Sequence, residues 1–135
     1  MFDLSDRPLV WIPVKWAVLR PGEGDDALAV ETEAVIEVEV EILDREELKT
    51  LFAAEFGIED AKPEVDGKQL EGRELETARF MKVVRDWRKV ADNGKALEFN
   101  AENVKGMLSV PGFTSAFETA FLAACVGKVD IRKGN

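Results

Sequence analysis

The chain has no histidine, no tyrosine and only one cysteine among its 135 residues. Without histidine and tyrosine, the most common general base, the most common metal ligand and the phenol acids are all missing. The single cysteine, Cys125, allows no intrachain disulfide and no cysteine-rich zinc site, and its apolar neighbours predict a small packed side chain. We therefore expect no metal, no cofactor and no enzymatic activity.

Long apolar runs and catalytic motifs are also absent from the sequence. No stretch approaches 18 apolar residues and no signal-peptide pattern is present, so we expect a cytoplasmic protein without a membrane partner. No glycine-rich loop matches a phosphate cradle, and no serine or cysteine has a triad partner. Carboxylates are abundant, but a solvated row of them lacks the burial that would raise a pKa toward neutrality for acid catalysis.

Negative charge is concentrated in one part of the chain. Residues 21–60 hold 14 acidic and 2 basic side chains, a net charge of −12, whereas the rest of the chain carries +3. Because such an acidic region repels phosphate backbones, we expect no nucleic-acid partner. The length and an apolar content of 46% suit one domain with its own core.

The first half of the chain predicts a long β-hairpin. Residues 9–19 alternate, with valine, isoleucine and tryptophan on one parity, and Pro13 favours an edge strand or a bulge because it cannot donate to a ladder. Residues 20–26 are rich in proline, glycine and aspartate and predict the loop. In residues 30–42 one parity is apolar except for Thr32 and the other is acidic except for Val35, a pattern that a strand separates onto two faces and a helix would scatter. We therefore predict that residues 9–19 and 28–42 pair antiparallel.

The parity of the second strand decides which side chains face the core. A slip of one residue would bury the glutamates, so we predict buried Val38 and Val40 and exposed Glu37 and Glu39. The acidic row has two interpretations: a solvated face that discourages edge-to-edge aggregation, or a docking surface for a basic partner. Trp11 lies on the same side as this row and is a candidate interface aromatic. The row consists of Glu31, Glu33, Glu37, Glu39 and Glu41.

Helices are predicted after the hairpin. Asp44 and Glu47 form a capping-box pattern, and the helix that they begin ends at Gly57. Residues 57–69 are polar and predict a surface loop, and a long helix begins within residues 70–74. On a helical wheel of this segment, one half is apolar and predicts a face packed against the core. The other half predicts a basic surface made of Arg79, Lys82, Arg85, Arg88 and Lys89.

The sequence after the long helix predicts a turn, a short strand and two more helices. Residues 92–94 contain Asn and Gly, which tolerate positive φ and favour a tight reversal. Residues 96–99 alternate as a strand does, and Asn100 can cap the next helix through its side-chain oxygen. The last helix begins near Pro111 or Phe113.

The fold class that follows is α+β, with a long antiparallel β-hairpin packed against about four α-helices and residues 96–99 as a candidate third strand. We divide the single domain 1–135 into a hairpin (9–43), a helical part (44–126) and a flexible tail (127–135). The predicted core includes Val38, Val40, Phe80, Val84, Trp87, Phe99, Leu108, Phe117 and Phe121.

A succession of apolar, turn and capping residues runs through the last part of the chain: Trp87, Val90, Asp92, Gly94, Leu97, Glu98, Phe99, Glu102, Asn103, Met107, Leu108, Pro111 and Gly112. This succession resembles the C-terminal half of the tail assembly chaperones of long-tailed phages. The front half is similar to many of these chaperones too, so the resemblance covers about residues 9–125. The acidic row on the second strand departs from the family, whose polar face is more mixed there.

The resemblance implies a non-enzymatic function. Family members bind the tape measure protein in the host cytoplasm until tail tube protein polymerises around it, and they are absent from the finished virion. The alternative is an acidic adaptor or a structural tail subunit of a prophage. Complementary acidic and basic faces would also let two copies of the chain form a homo-oligomer. Family members often have a longer, frameshifted product, for which the codons of residues 126–128 are a candidate site.

Overall fold

The structure is a computed structural model that describes residue 3 and residues 7–25, 27–57 and 63–127. It is a mixed α+β fold, as the sequence predicts. The strands of the long hairpin are β1 (Leu9–Arg20) and β2 (Val30–Glu41), and they pack against four α-helices. The predicted flexible tail after residue 127, together with parts of the predicted arm (1–8) and loop (57–69), lies outside the described residues.

The hairpin has the antiparallel register that the alternation predicts. Val10 pairs with Val40 and Ile12 with Val38, so residues of the same parity share the inner face. The sheet order is β1-β2-β5, in which β5 is Val84–Arg88, and this order makes β1 an edge strand. The edge position predicted from Pro13 is therefore confirmed. Proline has no N–H, and on an edge strand it is tolerated where that N–H would point away from the neighbouring strand.

The long helix is shorter than predicted. Helix α2 (Gly72–Val83) stops before Val84, and the chain continues as strand β5 (Val84–Arg88) antiparallel to β2. The prediction of one long helix up to the turn at residues 92–94 is therefore wrong.

A β-bulge explains why the sequence of β5 suggested a helix. Val40 pairs with Val84 and Val38 with Trp87, so β5 has one extra residue in this interval. An extra residue in one strand shifts its side-chain parity, and two residues three apart then face the same side. That spacing also occurs on one face of a helix, so the apolar pattern fits both structures.

Two small hairpins replace stretches that were predicted as loop and strand. Strands β3 (Glu64–Val65) and β4 (Lys68–Gln69) lie within the predicted loop 57–69. Strands β6 (Ala91–Asp92) and β7 (Lys95–Ala96) enclose Asn93 and Gly94, whose φ values of 51° and 79° confirm the predicted tight turn. Among the described residues, 96–99 do not extend the main sheet, because β7 pairs with β6 in a separate two-stranded sheet.

The predicted helix starts are confirmed. Asp44 and Glu47 form a capping box ahead of α1 (Arg45–Leu51), which is followed by a 3-10 turn (Ala53–Phe56). The Asn100 side chain accepts a hydrogen bond from the Asn103 backbone N–H at the start of α3 (Ala101–Leu108). The last helix, α4 (Phe113–Cys125), begins at one of the two predicted positions.

The core lies between the inner face of the sheet and the helices. Phe80 stands at its centre, with ring centroids 4.6 Å from Phe117 and 6.0 Å from Phe113. Phe99 is half-buried and meets Trp87 edge-on at 5.2 Å, and Cys125 is also half-buried. The other predicted core residues are buried: Val38, Val40, Phe80, Val84, Trp87, Leu108, Phe117 and Phe121.

Candidate partner-binding surface

The β-hairpin is longer than the helical layer that covers it. We call residues 9–14 and 36–41 the proximal hairpin and residues 15–35 the distal hairpin. Inner-face residues of the proximal hairpin, such as Val14 and Val38, are fully buried. In the distal hairpin Val30, on the same inner face, is 49% exposed, and Leu19 on the outer face and Leu28 in the loop between the strands are 71% and 87% exposed. The distal hairpin therefore projects from the core as a two-stranded arm.

Trp16 marks the point where the helical cover ends. Its ring meets Phe113, the first residue of α4, edge-on at 5.1 Å. A side chain at Gly112 would lie 3.6 Å from the Trp16 ring, so the start of α4 is packed closely against the strand. The Trp16 indole Nε1 is buried and has no hydrogen-bond acceptor among the described residues.

On the outer face of the proximal hairpin, β5 supplies cations to the glutamate row. The Arg88 guanidinium lies 4.1 Å from the centre of the Trp11 ring, and its Nε donates to Glu37. The Lys89 Nζ lies 3.2 Å from the second oxygen of the same carboxylate. Trp11, predicted as an exposed interface aromatic, is instead half-buried beneath Arg88.

These contacts set the electrostatics of the proximal outer face. The hydrogen bond from Arg88 lowers the pKa of Glu37 below its usual value, burial opposes that effect, and Lys89 adds to the lowering. Glu41 is paired in the same way, with its Oε1 3.0 Å from an Arg85 guanidinium nitrogen. Arg85 also donates to the Lys82 backbone carbonyl at 2.8 Å. Within the proximal hairpin, Glu37 and Glu41 are therefore partly neutralised inside the chain.

Arg79 and Lys82, the other two residues of the predicted basic helix face, also pair with carboxylates of the same chain. Arg79 is 6% exposed, and its Nε donates to the Leu51 carbonyl at 2.8 Å. One of its guanidinium nitrogens lies 3.2 Å from Glu118, whose pKa is raised because burial outweighs the attraction of Arg79. Lys82 pairs with Asp66 at 2.6 Å. All five predicted cations therefore contact a carboxylate of the same chain, and they do not form one free helix face.

The glutamates of the distal hairpin are arranged differently. Glu31 and Glu33 are exposed, and neither lies in an ion pair with any described residue. Glu37 and Glu39, which the parity predicts to be exposed, are instead half-buried, with Glu39 opposite Trp11 and Asp86. An open groove of about 470 Å³ runs along the arm. Its lining residues are Lys15, Trp16, Ala17, Glu31, Thr32 and Glu33.

The part of the chain that the structure describes contains no group of three or more histidine, cysteine, aspartate or glutamate side chains arranged to hold a metal ion. None of its helices combines the length and the apolar character that crossing a membrane requires. Burial raises the pKa of the Cys125 thiol, so this cysteine is a poor nucleophile at neutral pH.

Comparison with known proteins finds no matching family model, no matching curated protein and no matching solved structure. The distal hairpin, with its exposed apolar and acidic side chains, is thus identified from its own geometry. The sequence predicted the glutamates of the distal hairpin but not how much of the hairpin the helices cover. That coverage depends on where α4 begins relative to the sheet, and strand alternation does not predict this position.

Proposed function

We propose that this protein is a non-enzymatic phage tail assembly chaperone that binds the tape measure protein and assists assembly of the tail tube. The resemblance between residues 9–125 and that family supports the proposal. The structural observation that carries it is the distal hairpin, an arm with large exposed apolar side chains at Leu19 and Leu28. Exposed apolar side chains that are anchored on a folded core suit a protein that covers apolar segments of another chain.

Charge supports a role in keeping a client dispersed. The chain carries a formal net charge of −9, and much of its excess acid lies in the hairpin region. A high net charge keeps proteins soluble, and a single-sign surface steers association with a partner of opposite sign. In this proposal the chaperone holds the tape measure protein in the host cytoplasm and leaves before the virion is complete.

Co-expression with the tape measure protein of the same tail gene cluster tests the function. We expect the tape measure protein to be insoluble alone and to co-purify with this chain when the two are made together. The double variant Leu19→Ser/Leu28→Ser removes the two most exposed apolar side chains of the arm, and we expect it to lose most of the soluble complex. Met81→Ser is the matched control, because Met81 is an exposed apolar residue on α2, away from the arm.

Two outcomes would contradict this proposal. The first is a tape measure protein that aggregates equally with and without this chain. The second is retention of the complex by the arm variant together with its loss in the Met81 control, which would place binding elsewhere.

A structural tail subunit is the second candidate function, and the strand edges of the sheet favour it. Subunits that pair edge to edge can form rings or tubes. Electron microscopy of the purified protein at high concentration separates the two candidates. A chaperone or an acidic adaptor stays dispersed, whereas a tail subunit assembles.

The gene provides an independent check on the chaperone assignment. The codons for residues 126–128 encode Val-Gly-Lys, which permits a slippery run of three G, three A and G. A programmed shift there would join a second binding domain to the same body and raise the effective concentration of partners. Sequencing the region shows whether the run exists and whether an open frame follows in the shifted register.

A further inference from the structure

The edge of β2 is paired along only part of its length. Strand β5 pairs with β2 from Val40 to Glu37 and ends at Arg88. Lys89 then takes a φ of 69°, a left-handed conformation that does not continue a strand. Beyond Glu37, β2 continues for seven residues, to Val30, with β1 as its only paired neighbour in the described chain.

The direction of the free backbone groups follows from the register. The Ile42 N–H donates to the Pro8 carbonyl, and the Thr32 hydroxyl donates to the Val18 carbonyl, so the even-numbered residues of β2 face β1. In an antiparallel ladder the backbone groups of alternate residues point to opposite sides. The N–H and C=O groups of Glu31, Glu33 and Val35 therefore point to the side on which β5 lies further down. The pairing with β5 stops at Glu37, and no other backbone hydrogen bond from a described residue reaches these groups.

In the proximal hairpin, β5 shows what kind of strand pairs with this edge of β2. There β5 lies beside β2 and places Arg88 opposite Glu37, on the outer face, and Trp87 opposite Val38, on the inner face. Glu33 and Glu31 continue the acidic row, but no strand lies beside them in the described chain. Val35 is the first residue of β2 beyond the β5 pairing whose backbone groups point outward. Its side chain is 37% exposed, so this part of the edge is open to solvent.

We propose that an extended segment of the client protein pairs with β2 at Glu31, Glu33 and Val35, in line with β5, as the third strand of the distal hairpin. The segment has a Lys or Arg at every second position, facing the two glutamates, and apolar residues between them. This inference rests on the proposed function and specifies how the client is held. Opposed side chains of neighbouring strands lie about 5 Å apart, so each basic residue reaches its glutamate directly. Backbone hydrogen bonds would supply the pairing and charge would select the sequence.

Amide hydrogen exchange measured by NMR on the whole chain tests this geometry. The probe is a short synthetic peptide that alternates lysine with valine, and the comparison peptide has glutamate in place of lysine. We expect the lysine peptide to slow exchange at Glu31, Glu33 and Val35. Thr32 and Ala34, whose amides already face β1, should not change. Protection of all five amides equally, or of none of them, would overturn the inference.

Two variants separate backbone pairing from charge. Glu33→Pro removes one outward N–H without removing a bond to β1, as Pro13 does in the neighbouring strand, and we expect it to abolish the protection. Glu31→Lys/Glu33→Lys keeps every N–H, and we expect about tenfold weaker binding of the lysine peptide and a gain for the glutamate peptide. The thermal midpoint of each variant shows whether it is folded. If Glu33→Pro fails to fold, the charge-reversal variant decides the question alone, and an unchanged peptide preference would overturn the inference.

Co-expression distinguishes failure of this inference from failure of the proposed function. If the charge-reversal variant stays folded and still holds the tape measure protein as well as the wild type does, the client does not bind by this edge, although the chaperone function stands. If the tape measure protein is never held but the lysine peptide protects the three amides, the edge is a strand-binding site and the proposed function is wrong. Protection that appears without peptide as protein concentration rises would identify a second copy as the occupant and overturn the inference.

Discussion

The two halves of the β-hairpin have the same sequence pattern and different surroundings. In the proximal half, helices cover the inner face and β5 covers part of the edge, so Ile12, Val14, Val38 and Val40 are almost completely buried. In the distal half the same alternation continues to Val30, which is half exposed. Alternation therefore shows which side chains share a face and leaves open what covers that face.

The glutamate row shows the same contrast in charge. Glu37 and Glu41 lie against cations of the β5 region, whereas Glu31 and Glu33 have no ion-pair partner in the described chain. The proximal carboxylates thus contribute to holding β5 in place. The distal carboxylates add charge to a projecting arm, where they are available to another molecule.

The largest effect is expected where the proximal half is most tightly packed. Trp87 is 5% exposed, lies opposite Val38 and donates its indole N–H to the Leu97 carbonyl at 2.7 Å. We expect Trp87→Ala to lower the free energy of unfolding by about 3–5 kcal/mol, the cost of emptying a buried aromatic site. Denaturant unfolding measures this change. An unchanged midpoint with cooperative unfolding would mean that β5 is not part of the core.

A pair of valine substitutions compares the two halves directly. We expect Val38→Ala to cost roughly 2 kcal/mol, because it removes buried methyl groups and leaves a cavity. Val30→Ala, on the same strand and the same parity, should stay within about 0.5 kcal/mol of the wild type. The same denaturant experiment serves both variants. Equal losses would show that the distal half is covered too.

The sequence determined much of this fold because several local signals agreed. The register of β1 and β2, the capping box at Asp44, the Asn100 cap and the turn at residues 92–94 each depend on short-range chemistry that the sequence displays. Such signals act within a few residues and do not need the rest of the chain.

The error at β5 has a physical origin. The bulge placed two apolar residues three apart on one face of a strand, and helical periodicity accounts for that spacing equally well. The predicted helix therefore implied a basic face that does not exist, because Arg85 and Arg88 both lie in the bulged strand and reach Glu41 and Glu37. Long-range pairing decided between two structures that the local pattern could not separate.

The two tryptophans of the inner face allow a finer comparison. Trp87 has an acceptor for its indole N–H, whereas Trp16, at the limit of the helical cover, has none among the described residues. Replacing each with phenylalanine removes the N–H and shortens the ring system at both sites. We expect Trp87→Phe to cost about 1 kcal/mol more than Trp16→Phe, the net contribution of one hydrogen bond. Thermal unfolding of the two variants gives the difference, and equal costs would mean that the Trp16 N–H is also bonded.

The smallest expected effect concerns the ion pairs of the outer face, and its pH dependence distinguishes it from the others. The pKa of Glu37 is lower in the folded chain than its ordinary value of 4.5, chiefly through the hydrogen bond from Arg88. A lowered folded pKa gives stability that is present above the unfolded pKa and is lost as pH falls through the folded pKa. At neutral pH we expect Glu37→Gln to cost no more than about 1 kcal/mol, since exposed ion pairs contribute little. The difference from wild type should shrink below pH 4.5 as the wild-type carboxylate is protonated. Glu33→Gln is the control from the distal half, and we expect it to show no comparable loss because Glu33 lies in no ion pair with a described residue. Unfolding curves at neutral and acidic pH measure both variants, and an equal pH-dependent loss in the two would mean that the two halves of the acidic row do not differ.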